Sequence, residues 1–291
     1  MTQLLICTDL DRTLLPNGDL EESPHARERF AAVASRPEVT LAYVSGRDLA
    51  LVEQAITDFG IPRPDWVIGD VGSKLYQLNE AGEGNDQGQN KDPTTWIQSS
   101  AWEEDIALDW PRLVNEQIAE ALTSIHGLVL QEPARQSRYK VSYYLPLGFD
   151  LDTLRQDMGA RLQELGAHSS LIYSVDEQAQ VGLLDVLPQR ATKLHAVEFL
   201  MQSLGVTTTN TVFAGDSGND LPVLVSSVPS VLVANAHPDV IREAEASSRD
   251  RSTADFLYLA KGNFLGMNGN YSAGILEGLV HYHPETKDWI T

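Results

Sequence analysis

Cysteine is almost absent from this chain of 291 residues, in which Cys7 is the single example. One cysteine excludes an intramolecular disulfide, and such low cysteine usage is typical of proteins in the reducing cytoplasm. Cys7 ends the apolar run at residues 4–7, and no neighbour there would lower its pKa. We therefore predict a small buried strand residue rather than a reactive thiol.

Positive charge and long apolar runs are also scarce. Only 21 Lys and Arg stand against 41 Asp and Glu, which gives a net charge of -20. Such a surface repels nucleic acid and anionic lipid, so we expect neither as a partner. No run approaches the ~18–20 apolar residues of a membrane span, and no secretion signal is evident. We therefore expect a cytoplasmic protein, in which any phosphate site must supply its own local positive charge or a metal.

Strands and helices alternate near both ends of the sequence. The predicted strands are residues 4–8, 40–44, 66–68, 211–214 and 230–234, and the predicted helices are residues 24–35, 49–59, 194–204, 272–281 (with Ser272 as N-cap) and one starting at 221–225. This alternation implies a parallel sheet with right-handed crossovers. The fold class predicted from it is α/β, with a Rossmann-like, doubly wound parallel sheet.

The middle of the chain has a different pattern. Residues 79–100 are polar and rich in Gly, Asn, Gln and Asp, which indicates a mobile loop or insertion. Predicted helices at 111–125 and 151–165 and strands at 129–131, 139–145, 171–174 and 182–187 follow. We therefore expect a catalytic core formed by residues 1–76 and 189–291, with an α+β cap domain inserted at 77–188.

Two acidic clusters follow predicted strands. Asp9 and Asp11 come directly after the first strand, and the segment GDSGND at residues 215–220 follows the strand at 211–214. Carboxylates this close repel one another and need a counter-cation or a shared proton. Mg²⁺ takes hard oxygen ligands and usually shares them with substrate phosphate. Each cluster alone could be an ordinary turn, but open α/β sheets bind ligands at strand ends. Together, the two clusters therefore suggest one metal centre built from both ends of the chain.

Candidate phosphate-binding groups lie at two further places. Ser45, Gly46 and Arg47 follow the second predicted strand, where a hydroxyl and backbone N–H groups can hold phosphate oxygens. Lys193 opens a predicted helix, where its charge opposes the helix dipole unless an anion is bound nearby. A plain Ser-Gly turn and a solvated lysine are the alternatives.

With these four pieces in this order, the chain resembles the haloacid dehalogenase (HAD) superfamily of phosphohydrolases. Residues 9–13 (DLDRT) match its first motif, Ser45 the second, Lys193 the third and residues 215–220 the fourth. A cap inserted between the second and third motifs is typical of the C2-capped, Cof-like branch. The resemblance implies a HAD core with a C2-type cap.

A closer resemblance is to the sucrose-6-phosphate phosphatases. The similar stretches are residues 41–47, 71–73, 140–143, 185–190 and 272–277, together with Lys193. Lys74 stands where that family typically has an acidic residue. In the cap, the resemblance draws attention to Lys140 and Ser142, which alternate along a predicted strand and so share a face. Gln189 and Arg190 lie near the return to the core and could hydrogen-bond sugar hydroxyls.

The resemblance also implies a mechanism. Asp9 would attack phosphorus and form an aspartyl-phosphate, and Asp11 would act as general acid and then general base. Mg²⁺ would be held by the Asp9 carboxylate, the Asp11 backbone carbonyl and Asp216, with Asp220 and Asn219 in or next to the metal shell. The groups expected to clamp the transferring phosphoryl oxygens are Ser45, Gly46 and Lys193.

The expected function is Mg²⁺-dependent hydrolysis of a disaccharide phosphate, with sucrose 6-phosphate as the first candidate substrate. Mannosylfructose phosphate, glucosylglycerol phosphate and trehalose 6-phosphate are alternatives. A phosphomutase and a non-catalytic sugar-phosphate-binding regulatory domain also remain open. We expect a monomer whose partner is a small sugar phosphate, and a sugar-phosphate synthase is a candidate protein partner.

Overall fold

The computed structural model describes residues 4–79, 95–176 and 179–290. The strands are β1 (Leu4–Thr8), β2 (Val39–Val44), β3 (Trp66–Gly69), β4 (Lys74–Asn79), β5 (Thr95–Gln98), β6 (Val129–Leu130), β7 (Val141–Leu145), β8 (Ser169–Asp176), β9 (Val181–Pro188), β10 (Thr211–Gly215), β11 (Ser230–Leu232) and β12 (Leu257–Leu259). The α-helices are α1 (Ala26–Ala34), α2 (Leu49–Phe59), α3 (Ser100–Ala107), α4 (Asn115–Leu122), α5 (Leu151–Leu165), α6 (Lys193–Leu204), α7 (Leu221–Leu224), α8 (Pro238–Asp250), α9 (Ser272–Tyr282) and α10 (Lys287–Ile290).

The chain divides into two compact units. The first consists of Met1–Ser99 and Lys193–Thr291, and the second of Ser100–Thr192. This division differs from the expected boundaries at residues 76 and 189. After β3 the chain reverses, so that β4 pairs antiparallel with β3 and β5 pairs with β4. Backbone hydrogen bonding therefore keeps both strands in the first unit.

The first unit contains one sheet in the order β12-β11-β10-β1-β2-β3-β4-β5. The pairings from β12 to β3 are parallel, which confirms the predicted α/β fold. All five residues of β1 are buried, because β1 lies between β10 and β2. A central parallel strand is covered on both faces, which explains its unbroken apolar sequence.

The register of the central strands brings three chain segments to one edge of the sheet. Thr8 of β1 lies opposite Tyr43 of β2 and Ala214 of β10. The residues that directly follow these strands therefore emerge side by side. This edge carries Asp9 and Ser45, and it is where open α/β sheets bind ligands.

The second unit contains an antiparallel sheet in the order β6-β7-β9-β8. Buried residues of its helices and strands include Trp102, Ile118, Leu154 and Val186. The unit therefore has its own apolar core, as expected for an α+β module. Within the described part of the chain, no helix is long and apolar enough to cross a membrane.

Several predicted elements were wrong. The helix predicted at 111–125 is present only as the shorter α4, and α3 was missed; Pro111 and the positive-φ residue Arg112 (φ 62°) lie between the two helices. Proline restricts the residue before it and breaks helical hydrogen bonding. Of the polar segment predicted as a loop at 79–100, residues 80–94 lie outside the described residues, and Thr95–Gln98 forms a strand. Ser272 is the first residue of α9 rather than its N-cap, which is Tyr271.

Helix α8 was missed because its sequence gives little apolar signal. Only Ala244 and Ser248 of this helix are buried. Its start does carry a recognisable pattern, since Pro238 occupies the first turn and Asp239 follows. Proline at the first helical position and an acidic residue in the first turn both favour a helix start.

Candidate active site

Three carboxyl groups converge where β1 and β10 end. Asp9, Asp216 and Asp220 are buried, and each offers a carboxylate oxygen within 4.8 Å of the others. Asp9 follows β1 directly, and its backbone N–H donates to Ala214 O at 2.9 Å. The adjacent parallel strands therefore join acidic segments that lie far apart in sequence.

Lys193 supplies the positive charge of this cluster. Its Nζ lies 2.9 Å from Asp9 Oδ1, 2.7 Å from Asp220 Oδ1 and 3.1 Å from Asn219 Oδ1. The residue begins α6 and is only 2% exposed. Burial by itself would lower the pKa of Lys193, but the carboxylates of Asp220 and Asp9 outweigh burial and raise it. The ammonium group therefore stays charged in the cluster.

The acidic groups are only partly neutralised by this lysine. Burial raises the pKa of Asp9 to about 7; Lys193 opposes the shift, and Asp220 and Asp216 add to it. Burial, followed by the Asp220 charge, raises the pKa of Asp216 to about 6. A divalent cation bound beside Asp9 and Asp216 would keep both carboxyl groups ionised.

One oxygen of the cluster is particularly suited to a metal. Asp216 Oδ2 is buried and has no hydrogen-bond partner among the described residues. The other oxygen of Asp216 accepts a hydrogen bond from Thr13 Oγ1 at 3.1 Å. A buried carboxylate oxygen that accepts no hydrogen bond and lies beside a second carboxylate fits the hard-oxygen donor set of Mg²⁺. The residues present therefore fit the predicted metal.

Asp220 has a different environment from the other two carboxylates. Its Oδ2 accepts hydrogen bonds from the backbone N–H groups of Asp216 and Ser217, each at 3.1 Å, and its Oδ1 faces Lys193. Both oxygens are thus engaged within the protein. A Cβ atom on Gly215 would lie 2.6 Å from Asp220 Cγ. Glycine is therefore required at residue 215 if Asp220 is to shape the loop after β10.

Asp11 lies outside the three-carboxylate cluster. Arg47 binds it through two contacts, Nε to Oδ2 at 2.8 Å and Nη2 to Oδ1 at 2.6 Å. Asn17 Nδ2 also donates to Asp11 Oδ1 at 2.7 Å. Burial would raise the pKa of Asp11, but the Arg47 hydrogen bonds and charge lower it overall. Arg47, which was predicted to bind phosphate, is thus paired with Asp11 in this structure.

The segment after β2, which was predicted to bind phosphate, is held by backbone contacts. Ser45 is buried; its N–H donates to Ile68 O at 2.8 Å and its carbonyl accepts from Val71 N at 3.2 Å. Its hydroxyl oxygen accepts from the N–H of Arg47 at 3.2 Å. The hydroxyl retains its own proton for a further acceptor. The segment is therefore fixed in place before any ligand binds.

A cavity of about 280 Å³ is lined by carboxylates, by guanidinium groups and by part of the segment after β2. Its position at the carboxyl edge of the sheet agrees with the sequence prediction. The lining residues are Asp9, Asp11, Arg12, Gly46, Arg47, Leu51, Asp216, Ser217 and Asn219.

Three further residues of this site had no role assigned from the sequence. Thr13 is buried, and its hydroxyl lies 3.1 Å from Asp216 Oδ1 and 3.5 Å from Asp9 Oδ2. Arg12 Nε lies 3.5 Å from Asp216 Oδ2. Asn17 donates to Asp11. All three are polar residues within eight positions of Asp9. The high density of polar residues directly after an apolar strand could have identified them as candidate site residues.

The cap candidates lie in the second unit. Lys140 and Ser142 are buried, and Ser142 Oγ donates to Asp185 Oδ1 at 2.5 Å. Gln189 and Arg190 are exposed, and the N–H of Arg190 donates to Asp109 Oδ2 at 2.6 Å. Ser142 and Arg190 thus have acidic partners within their own unit. Their contact with a sugar stays a prediction.

Comparison with known proteins identifies the chain as a phosphoric monoester hydrolase of the HAD superfamily. The profile of the sucrose-6F-phosphate phosphohydrolase family matches residues 2–283, so the chain belongs to that family. The resemblance derived from the sequence is thereby confirmed.

Relatives of known name agree with this family. A mannosylfructose-phosphate phosphatase from Agrobacterium fabrum is 27% identical, over 96% of both chains. Sucrose-phosphatase 1 of Nicotiana tabacum is 26% identical over 97% of this chain and 59% of its own length. A putative HAD-like hydrolase of Nitrosococcus oceani is 46% identical over 99% of this chain and 74% of its own length.

The solved structure of the sucrose-phosphatase from Synechocystis sp. PCC6803, in complex with sucrose and phosphate, is also similar. It superposes with a TM-score of 0.69 at 25% identity, covering 97% of this chain and 99% of its own. The similarity extends over both units of the chain.

Proposed function

We propose that this protein hydrolyses a disaccharide phosphate in a Mg²⁺-dependent reaction, and that sucrose 6-phosphate is the substrate. The observation that carries the proposal is the convergence of Asp9, Asp216 and Lys193 in one buried cluster at the edge of the sheet. The names of the similar sucrose-phosphatases support sucrose 6-phosphate as the substrate.

Asp9 is the proposed nucleophile. Its carboxylate attacks phosphorus, the bond from phosphorus to the sugar oxygen breaks, and an aspartyl-phosphate forms. Lys193 lies 2.9 Å from Asp9 and supplies positive charge where the phosphoryl oxygens gather. The Ser45 hydroxyl and the Gly46 backbone are proposed to hold the same oxygens.

Asp11 is the proposed general acid and base. It gives a proton to the departing sugar oxygen and then accepts one from the water that hydrolyses the aspartyl-phosphate. In this structure its carboxylate is paired with Arg47, which favours the ionised form. We propose that substrate phosphate draws Arg47 away, because phosphate is also a bidentate partner for a guanidinium. Asp11 can then carry the proton that the first step needs.

Mg²⁺ would be held by the Asp9 and Asp216 carboxylates and the Asp11 backbone carbonyl. Bound there, the ion supplies charge neutralisation for the transferring phosphoryl group. Asp220 and Asn219 are proposed to support this site beside Lys193, which they contact directly.

The second unit, Ser100–Thr192, is proposed to be the cap that selects the sugar. The sugar-binding candidates are Lys140, Ser142, Gln189 and Arg190. A second candidate substrate is mannosylfructose phosphate, which is favoured by the relative that matches this chain over 96% of both lengths.

A substrate panel tests the proposal. Phosphate release is measured from sucrose 6-phosphate, mannosylfructose phosphate, glucosylglycerol phosphate, trehalose 6-phosphate and para-nitrophenyl phosphate, with Mg²⁺ and with a chelator. We expect the highest kcat/KM with sucrose 6-phosphate and no turnover without Mg²⁺. Cleavage of para-nitrophenyl phosphate alone would refute the disaccharide assignment, and full activity with a chelator would refute the metal requirement.

A further inference from the structure

Arg12 has a backbone conformation that arginine rarely adopts. Its φ is 60°, in the left-handed region that disfavours residues with a Cβ atom. Two asparagine side chains hold this conformation: Asn17 Oδ1 accepts from Arg12 N–H at 2.8 Å, and Asn235 Nδ2 donates to Arg12 O at 2.6 Å. Asn235 is in turn fixed by the N–H of Tyr271 at 2.8 Å. The strained position of Arg12 is therefore imposed by its surroundings.

The guanidinium of Arg12 is the most loosely held cation of the site. Its Nε lies 3.5 Å from Asp216 Oδ2, which is longer than a direct hydrogen bond, and its side chain is 51% exposed. Arg47 and Lys193, in contrast, contact Asp11 and Asp9 at 2.6–2.9 Å. Arg12 is thus a counter-ion that can leave its carboxylate at little cost.

The carboxylate oxygen beside Arg12 is the one that best fits a metal. Asp216 Oδ2 has no hydrogen-bond partner in the described part of the chain. A divalent cation bound to that oxygen would repel the guanidinium. Because Arg12 also lines the cavity with Asp9 and Gly46, a displaced guanidinium remains beside the space where phosphate would bind.

Without a bound cation, acidic side chains outnumber basic ones in the site. Four carboxyl groups (Asp9, Asp11, Asp216 and Asp220) face three cationic side chains (Arg12, Arg47 and Lys193). The side chains alone therefore offer no surplus positive charge to a phosphate dianion. A divalent cation reverses the balance and frees one guanidinium at the same time.

We propose that Arg12 neutralises Asp216 in the metal-free protein, is displaced when a divalent cation binds there, and then binds the phosphate group in the same cavity. The inference rests on the proposed function, because it assumes the Mg²⁺ site and a phosphate-bearing substrate. It assigns Arg12 two opposite effects: the residue weakens Mg²⁺ binding and strengthens phosphate binding.

Calorimetric titration of Arg12→Asn tests both effects. Asparagine tolerates the left-handed backbone and removes the charge. We expect Mg²⁺ to bind Arg12→Asn about 3–5-fold more tightly than wild type, the range of a partly exposed ion pair. With Mg²⁺ bound, inorganic phosphate should bind about tenfold more weakly, as expected for a lost charged hydrogen bond. Arg12→Lys keeps the positive charge, so its affinities for Mg²⁺ and for phosphate should both lie close to those of wild type.

Arg112→Asn is the matched control. Arg112 is also an exposed arginine at positive φ (62°), and it belongs to the second unit. We expect both affinities of Arg112→Asn to equal those of wild type, and thermal unfolding checks that every variant is folded. Unchanged or weaker Mg²⁺ binding by Arg12→Asn would overturn the inference, as would unchanged phosphate affinity.

The titrations separate this inference from the proposed function. Mg²⁺ and inorganic phosphate are used without any sugar, so an incorrect sugar assignment leaves the expected shifts in place. Failure of wild type to bind Mg²⁺ would overturn both proposals. Normal binding with unaltered affinities in Arg12→Asn would overturn this inference alone.

Discussion

Lys193 Nζ lies 2.9 Å from Asp9 Oδ1, although the two residues are 184 positions apart in sequence. The pair is buried, so its charges interact strongly and neither is screened by bulk water. The same ammonium group also contacts Asp220 at 2.7 Å. One cation thus joins Asp9, which directly follows β1, to the loop after β10.

Replacing Lys193 should affect both activity and stability. Lys193→Met keeps the length of the side chain but removes its charge, which leaves two buried carboxylates without their cation. We expect kcat to fall about 10²–10³-fold, as on removal of a stabilising donor. We also expect the free energy of unfolding in metal-free buffer to fall by about 3–5 kcal/mol, measured by urea denaturation.

The control for this experiment is Lys287→Met, which removes a lysine from α10 at the end of the chain. Its kcat and urea midpoint should match wild type. Near-normal kcat in Lys193→Met would contradict the role given to the ammonium group.

Thr13 should tune metal affinity through Asp216. Its hydroxyl donates to Asp216 Oδ1 at 3.1 Å, and groups that orient a metal ligand commonly contribute 10–100-fold in metal affinity. We expect Thr13→Val to weaken Mg²⁺ binding by about that factor, measured by calorimetry. Thr13→Ser keeps the hydroxyl and should bind Mg²⁺ nearly as wild type does. Equal affinities in the valine and serine variants would show that the hydrogen bond is irrelevant.

Mg²⁺ affinity should depend on pH between about 8 and 5. Burial raises the pKa of Asp9 to about 7 and that of Asp216 to about 6, so both carboxyls take up protons in the metal-free protein as pH falls through this range. Protons then compete with the cation, because metal ligands must be deprotonated. The dissociation constant should rise on acidification, and binding near neutral pH should release protons. Calorimetric titrations in buffers of different ionisation enthalpy would detect the released protons. An Mg²⁺ affinity that is independent of pH, without proton release, would contradict the raised pKa values.

Replacing Gly215 with alanine should destabilise the protein. A Cβ atom there would lie 2.6 Å from Asp220 Cγ, and Asp220 is fixed by Lys193 and the following backbone. We expect Gly215→Ala to lower the free energy of unfolding by about 1–3 kcal/mol, the usual cost of overpacking. Gly218→Ala is the control, since its Cβ would meet no atom within 4 Å. Similar thermal stability of the two variants would show that the loop adapts freely.

The convergence of Asp9 and Asp216 could be predicted because both residues directly follow strands. The apolar runs before Asp9 and Asp216 mark central strands, and parallel strands place their carboxyl ends at one edge. The pairing of Arg47 with Asp11 could not be predicted, since it depends on how two loops approach each other. The left-handed backbone of Arg12 likewise depends on Asn235, which is 223 positions away.

The antiparallel end of the sheet was missed for a related reason. Strand β4 follows a tight reversal at Asp70–Gly72, in which Val71 has a φ of 61°. A β-branched residue is unfavourable in that conformation, so sequence propensity gives no indication of the turn. The hydrogen bond from Val71 N–H to Ser45 O, at 3.2 Å, helps to hold the reversal beside the segment after β2.

Acid quenching of the reaction would show whether Asp9 is the nucleophile. Protein mixed with Mg²⁺ and sucrose 6-phosphate is quenched within one turnover, digested and analysed by mass spectrometry. We predict a single phosphoryl group on the peptide that contains Asp9, and none in Asp9→Asn, which should also be inactive. An unmodified Asp9 peptide together with normal turnover by Asp9→Asn would rule out Asp9 as the nucleophile.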